Sequence, residues 1–289
     1  MRFTERTLRI LKYAETEAER TTKVVYPVHL LLGLLLERTG VCAELYINYP
    51  NLTEILNERV RDMQFEMEDE GISYGPFQSN ITQTTKTVIL NANNRMKRFK
   101  QNFINEGHIV DAIFKIDDPL TKAILSGLDI SRILEIVSYP RDMIVSLKDY
   151  SFSPIPASNI NFRKAEQSDN ASLKAFVEKE FGEGWLDSIE NGFLQVDIPI
   201  FIALEDQDIV GFSCFDVVRG KKGLFGPMGT SFSNRINGIG NTLLHLCLVE
   251  MRERDYEYAI IGEAGPVEFY EKSCNAVVIS KNFLNSEGK

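Results

Sequence analysis

Arg235-Ile236-Asn237-Gly238-Ile239-Gly240 decides how the second half of this chain is read. The six residues follow a strand-like apolar run (residues 223–230, GLFGPMGT) and open a helix over 241–254. In that helix Leu243, Leu244, Cys247, Leu248 and Met251 share one face. The first turn of a helix leaves backbone N–H groups unpaired at the positive end of its dipole. Gly238 and Gly240 let an anion approach those amides with no Cβ in the way, and Arg235 adds a charged donor. The turn therefore suits a ligand carrying a pyrophosphate, although the same residues also suit a tight connection without one. The spacing Arg-x-x-Gly-x-Gly is not the G-x-G-x-x-G dinucleotide fingerprint, and no G-x-x-x-x-G-K-[ST] P-loop occurs in the sequence.

Length and composition set the frame for that turn. A chain of 289 residues predicts about two domains, each with its own core. The 44% hydrophobic and 25% charged content is that of a water-soluble globular protein. A net charge of −9 argues against nucleic acid as a partner and leans toward cationic substrates such as amines. The opening MRFTERTLRI lacks an apolar signal core, and no stretch is long enough to span a bilayer. The expectation is a cytoplasmic protein without a membrane partner. Cys42, Cys214, Cys247 and Cys274 are scattered, with no C-x-x-C pair, which predicts reduced, packed thiols and no metal site.

The first half reads as helix and repeats at an offset of roughly 78 residues. Phe3-Thr4-Glu5-Arg6-Thr7-Leu8 lines up with Ile81-Thr82-Gln83-Thr84-Thr85-Lys86, and Thr4 and Thr82 are the expected N-caps. His29-Leu30-Leu31-Leu32-Gly33-Leu34-Leu35 lines up with the segment beginning at His108, where Asp111 is read in place of the glycine. Each histidine opens an apolar helix at the same repeat position, which points to a capping role rather than a metal or catalytic one. Met63, Phe65 and Met67 beside the acidic run 66–70 suggest a helix end or a peptide groove. The FTER and HLLLGLL motifs resemble the Clp N-terminal repeat domain, the module that binds substrates and adaptors in Clp-family unfoldases. The resemblance covers residues 1–140 and implies an all-α, pseudo-symmetric domain that binds a protein partner.

Pro140, Pro154 and Pro156 with several serines read as a linker over 141–159, with Ile144, Val145 and Leu147 packing back onto the first domain. From 160 the pattern alternates strand and helix: a strand at 160–163, helices at 169–181 and 185–191, and a hairpin turning at residues 205–208. The cradle strand and helix follow, then a strand at 258–261, a helix after Pro266, and a last strand at 276–280.

That order, with the Arg235–Gly240 turn after the fourth strand and Gly265-Pro266-Val267-Glu268-Phe269-Tyr270-Glu271-Lys272 after the fifth, resembles the GNAT acyltransferase family. The resemblance covers about residues 160–282 of a domain placed at 160–289, and implies an α+β fold with a mixed, mostly antiparallel sheet. It implies an acetyl-CoA-dependent N-acetyltransferase without a metal. Arg235, Asn237, Gly238, Ile239, Gly240 and Asn241 would hold the pyrophosphate of acetyl-CoA, and the strand at Met228 and Thr230 would pair with its pantetheine arm. Tyr270 matches the family's general acid, and Glu263 is the candidate base. Asp216 is a weaker candidate for binding a cationic acceptor. Few residues follow position 280, so the family's final hairpin is expected to be short or absent. The alternative is a CoA-binding sensor or adaptor without catalysis. The acceptor amine, whether small molecule or protein, and the choice between monomer and homodimer stay open.

Overall fold

The computed structural model describes residues 1–62, 70–152, 159–232 and 238–280. They fall into two compact units, one built on residues 1–140 and the other on 141–264 with 269–279. The 63–69 run, with its proposed peptide groove, lies outside the described residues.

The first unit holds helices α1 (Glu5–Arg20), α2 (Pro27–Glu37), α3 (Gly40–Asn48) and α4 (Leu52–Asp62) in one copy. The other copy holds α5 (Gln83–Arg98), α6 (Glu106–Lys115), α7 (Pro119–Ile124) and α8 (Ile130–Val137). Both threonine caps form: Thr4 Oγ1 accepts the Thr7 N–H at 3.2 Å and Thr82 Oγ1 the Thr85 N–H at 3.0 Å. The histidines also act alike. His29 Nδ1 accepts the Tyr26 N–H at 2.9 Å, and His108 Nδ1 the Asn105 N–H at 3.1 Å, each satisfying an amide ahead of its own helix. Burial pushes both imidazoles down to about 4, with Arg95 adding to the effect at His108. Neutral rings are what this capping requires, because a protonated Nδ1 cannot accept.

Two isolated parallel bridges tie the copies reciprocally, Phe3 to Ile104 and Val25 to Ile81. The residue ahead of α1 meets the one ahead of α6, and the residue ahead of α2 meets the one ahead of α5, as a pseudo-twofold requires. Counted from the histidines, Gly33 is matched by Ala112, not by Asp111 as the motif alignment has it. Gly33 is needed where it stands: a Cβ there would come within 2.3 Å of the Ile10 carbonyl oxygen on α1. Asp111 instead pairs with Arg95 at 3.0 Å and Lys115 at 2.8 Å.

The second unit is a seven-stranded sheet. Its strands are β1 (Arg141–Ser146), β2 (Ile160–Lys164), β3 (Ile200–Glu205), β4 (Asp208–Phe215), β5 (Leu224–Thr230), β6 (Tyr258–Ala264) and β7 (Val277–Val278). The order is β2-β3-β4-β5-β6-β1-β7, with every pairing antiparallel except β5 to β6. Helices α9 (Asn170–Phe181) and α10 (Leu186–Phe193) cover one face through a core that includes Leu173, Val177, Ile189, Phe193 and Phe212. Helix α11 (Ile239–Glu253) packs on β3, β4 and β5, where Ser213 Oγ donates to the Leu243 carbonyl at 3.0 Å. With both faces covered, β3 is buried along nearly its whole length. The hairpin at 205–208 forms as read: Asp206 and Gln207 both take positive φ, the conformation of a two-residue type I′ turn. The fold is thus a helical region followed by a domain with a mixed, mostly antiparallel sheet.

Residues 141–146, read as linker, are a strand. β1 lies between β6 and β7, pairing with both, and its Met143 and Val145 are fully buried. β1 thus fills the place between β6 and β7 in the sheet. Val145 and Leu147 therefore pack in the second unit and not the first. The next residues are fastened as well. The Leu147 N–H donates to the Glu257 carbonyl at 2.8 Å, the Tyr150 hydroxyl bonds His245 Nδ1, and Phe152 stacks on the His245 ring at 3.9 Å. Residues 153–158, the proline-rich core of the expected linker, lie outside the described residues.

Candidate functional site

The sheet opens at one place. β5 pairs with β6 only at Leu224↔Ile260 and Phe225↔Ile261, while its other edge runs along β4 from Phe225 to Thr230. On its other edge β6 pairs with β1 from Tyr258 to Ala264. From Gly226 to Thr230, then, β5 makes no ladder pair with β6. These residues are half-buried, and Met228 and Thr230 are two of them. A strand that runs on beyond its ladder, bordered by protein, is a template for an extended polar chain.

The cradle begins where this strand ends. Gly238 takes φ of 73°, a left-handed conformation that favours glycine, and it is the N-cap of α11 with no side chain capping the helix. The first helical bond runs from Thr242 N–H to the Gly238 carbonyl at 3.1 Å, leaving Ile239, Gly240 and Asn241 to present the first-turn amides. Thr230 lies against this turn: a Cβ on Gly240 would stand 3.7 Å from its Cγ2. Thus Thr230, Gly238, Ile239 and Gly240 come together as the sequence suggests. Arg235 and Asn237 lie outside the described residues.

Helix α12 (Val267–Cys274) carries Tyr270 to the other end of the same opening. The Tyr270 ring meets Phe225 edge to face at 6.4 Å, at the last pair of the β5–β6 ladder. It is 8% exposed, and its ring also meets Phe269 at 5.0 Å. Burial, with Cys274 nearby, raises its pKa, so the phenol is protonated at neutral pH.

Glu263 stands near the end of β6, exposed, with φ of 50°. Its N–H donates to Asp142 Oδ1 at 2.9 Å. Asp142 was not foreseeable from sequence, because the two residues are far apart in the chain and the aspartate falls in the segment read as linker.

Asp216 is not an open acid. It is buried, and its carboxylate accepts the Gly223 N–H and the Tyr256 hydroxyl, each at 2.7 Å, with Lys222 at 3.6 Å. Burial and the Asp216 bond push the Tyr256 phenol up to about 12. Asp216 therefore pins the turn between β4 and β5, a structural role in place of acceptor binding. The four cysteines are buried and form no disulfide, and among the described residues no group of three or more metal-ligating side chains gathers. No helix among the described residues is long and apolar enough to cross a membrane.

Comparison with known proteins separates the two halves. Residues 2–128 match the Clp repeat (R) N-terminal domain. The ATP-binding subunit ClpC of the ATP-dependent Clp protease of Staphylococcus epidermidis is 28% identical over 134 residues, which cover 45% of this chain and 15% of that protein. The match thus spans well under a fifth of that curated relative. Among solved structures, the N-terminal domain of the chaperone ClpD from Arabidopsis thaliana is 25% identical with a TM-score of 0.36, covering 47% of this chain and 94% of that one. A GCN5-related N-acetyltransferase from Sphaerobacter thermophilus is 21% identical with a TM-score of 0.41, covering 53% of this chain and 54% of that one.

Proposed function

We propose that this chain, with its Clp repeat N-terminal domain ahead of a GNAT-like mixed-sheet domain, is an acetyl-CoA-dependent N-acetyltransferase. It acts on a primary amine, and its helical unit serves as a protein-interaction module. The observation that carries this reading is the end of the β5–β6 ladder at Phe225, with β5 running on over residues 226–230. That stretch starts beside Tyr270 and ends beside the uncapped, left-handed start of α11.

The parts fit a thioester of CoA. The first-turn amides of Ile239, Gly240 and Asn241, with Gly238 and with Arg235 and Asn237, hold the pyrophosphate. The backbone of Met228 and Thr230 pairs with the amide-bearing pantetheine arm. Acetyl-CoA supplies the activated acetyl group. Glu263 takes a proton from the ammonium or attacking amine, directly or through a water, so that nitrogen can form the new C–N bond. As the C–S bond breaks, Tyr270, held neutral by burial, donates its proton to the departing sulfur. Net negative charge favours the approach of a cationic acceptor.

The burial of Tyr270 favours a second reading, a CoA-binding sensor in which that side chain packs beside the ligand without donating. One experiment separates the two. The full chain is incubated with acetyl-CoA and a panel of spermidine, glucosamine, kanamycin and a lysine peptide, and thiol release is followed. Amine-dependent release supports the enzyme. Thermal stabilisation by acetyl-CoA with no amine accelerating release leaves the sensor, and no stabilisation removes both.

A further inference from the structure

At the end of β6, Met143 of β1 pairs with Ile261 and Arg141 with Ala264, so Gly262 and Glu263 together face the single residue Asp142. This is a β-bulge, and its second residue is held left-handed at φ of 50°, a conformation that usually takes glycine. A glutamate there is a residue placed against its backbone preference. Such positions persist only where surrounding contacts impose them, and they cluster at working sites.

Here the contact is explicit. Asp142 Oδ1 accepts the Glu263 N–H at 2.9 Å. The Asp142 carbonyl accepts the Ile279 N–H at 2.8 Å, and Arg141, 1% exposed, donates from Nη2 to the Ile279 carbonyl at 3.0 Å. The β1 segment is thus anchored on the far side, after β7, while its carboxylate grips the bulge on the near side.

We propose that Asp142 is a positioning residue that fixes the backbone of Glu263 and so aims its carboxylate for proton transfer. This rests on the reading of Glu263 as the base. A strand donated from ahead of the rest of the sheet thereby sets the acceptor-side geometry of the site.

The test uses the full chain and two readouts. The first is hydrogen exchange at the Glu263 amide. The second is the steady-state rate with acetyl-CoA and whichever amine of the panel turns over. Asp142→Ala is expected to exchange the Glu263 amide about tenfold faster. It should lower kcat about tenfold while leaving KM for acetyl-CoA within about twofold. Asp142→Asn, which keeps an acceptor oxygen, should stay within about twofold of the wild type in both readouts. Added to Glu263→Gln, Asp142→Ala should cost nothing further, because residues acting as one unit are not additive. An unchanged Glu263 amide in Asp142→Ala, a full second loss on top of Glu263→Gln, or damage by Asp142→Asn equal to that of alanine would overturn the proposal. Should Asp142→Ala fail to fold, Asp142→Ala/Glu263→Gly is expected to fold, since glycine takes the left-handed turn unaided; continued failure would also overturn it. If the wild type turns over no amine, the acetyltransferase reading fails, while the exchange measurement still decides whether Asp142 holds Glu263.

Discussion

Replacing Met143 by alanine in the full chain tests whether residues 141–146 belong to the sheet. Met143 is 0% exposed on β1, paired with Ile261 of β6 on one side and Val278 of β7 on the other. Truncating a buried methionine removes its transfer free energy and leaves a cavity, a loss of about 3 kcal/mol. Against a domain stability of about 5–15 kcal/mol, that is a large fraction. For a unit of this size it corresponds to a fall in the midpoint of roughly 10 °C. The assay is differential scanning calorimetry, with Ser151→Ala as a control on an exposed residue of the same stretch. The control should move by no more than about 0.5 kcal/mol. If Met143→Ala unfolds within about 2 °C of the wild type, as the control should, the segment is a linker and the closure of the sheet by β1 is wrong.

Other outcomes follow from the same geometry. His29 and His108 sit at about 4 when folded against an ordinary 6.5, so the unfolded chain takes up protons first as pH falls. Their stabilisation is complete above pH 6.5 and drains away down to pH 4, by about 2 kcal/mol each at pH 5. Urea titrations at pH 7.5 and 5 measure it, and equal midpoints for the helical unit would contradict it. Gly33→Ala drives a methyl toward the Ile10 carbonyl and should destabilise the helical unit by about 2 kcal/mol, read from its denaturation midpoint. Tyr270→Phe should lower turnover at least tenfold while CoA affinity, followed by calorimetric titration, stays unchanged; equal turnover would remove its hydroxyl from the chemistry.

Local signals were legible and long-range ones were not. Thr4, Thr82 and the 205–208 turn act within a few residues of themselves, so their roles were readable from the sequence. The two histidines were readable through the repeat. β1 was not, although Met143, Val145 and Leu147 do alternate as a half-buried strand should. Its partners β6 and β7 lie more than a hundred residues downstream, and a proline before it with a proline-rich run after it made the stretch look like a connector. The same distance hid Asp142 from Glu263 and Tyr150 from His245. Asp216 misled for the opposite reason: an acid at a strand end looks available until the amide and phenol that it accepts from are in view. Of the cradle, the glycine at 238 announced the left-handed start of α11. The opening of β5 from β6 has no sequence signature, because it is a pairing that stops.

Whether CoA lies along β5 and across the start of α11 is read directly by hydrogen exchange of the full chain with and without CoA. The prediction is added protection concentrated in residues 226–230 and 238–241, with the helical unit unchanged. Protection elsewhere with none in these two segments would contradict it, whatever activity the chain is later found to have.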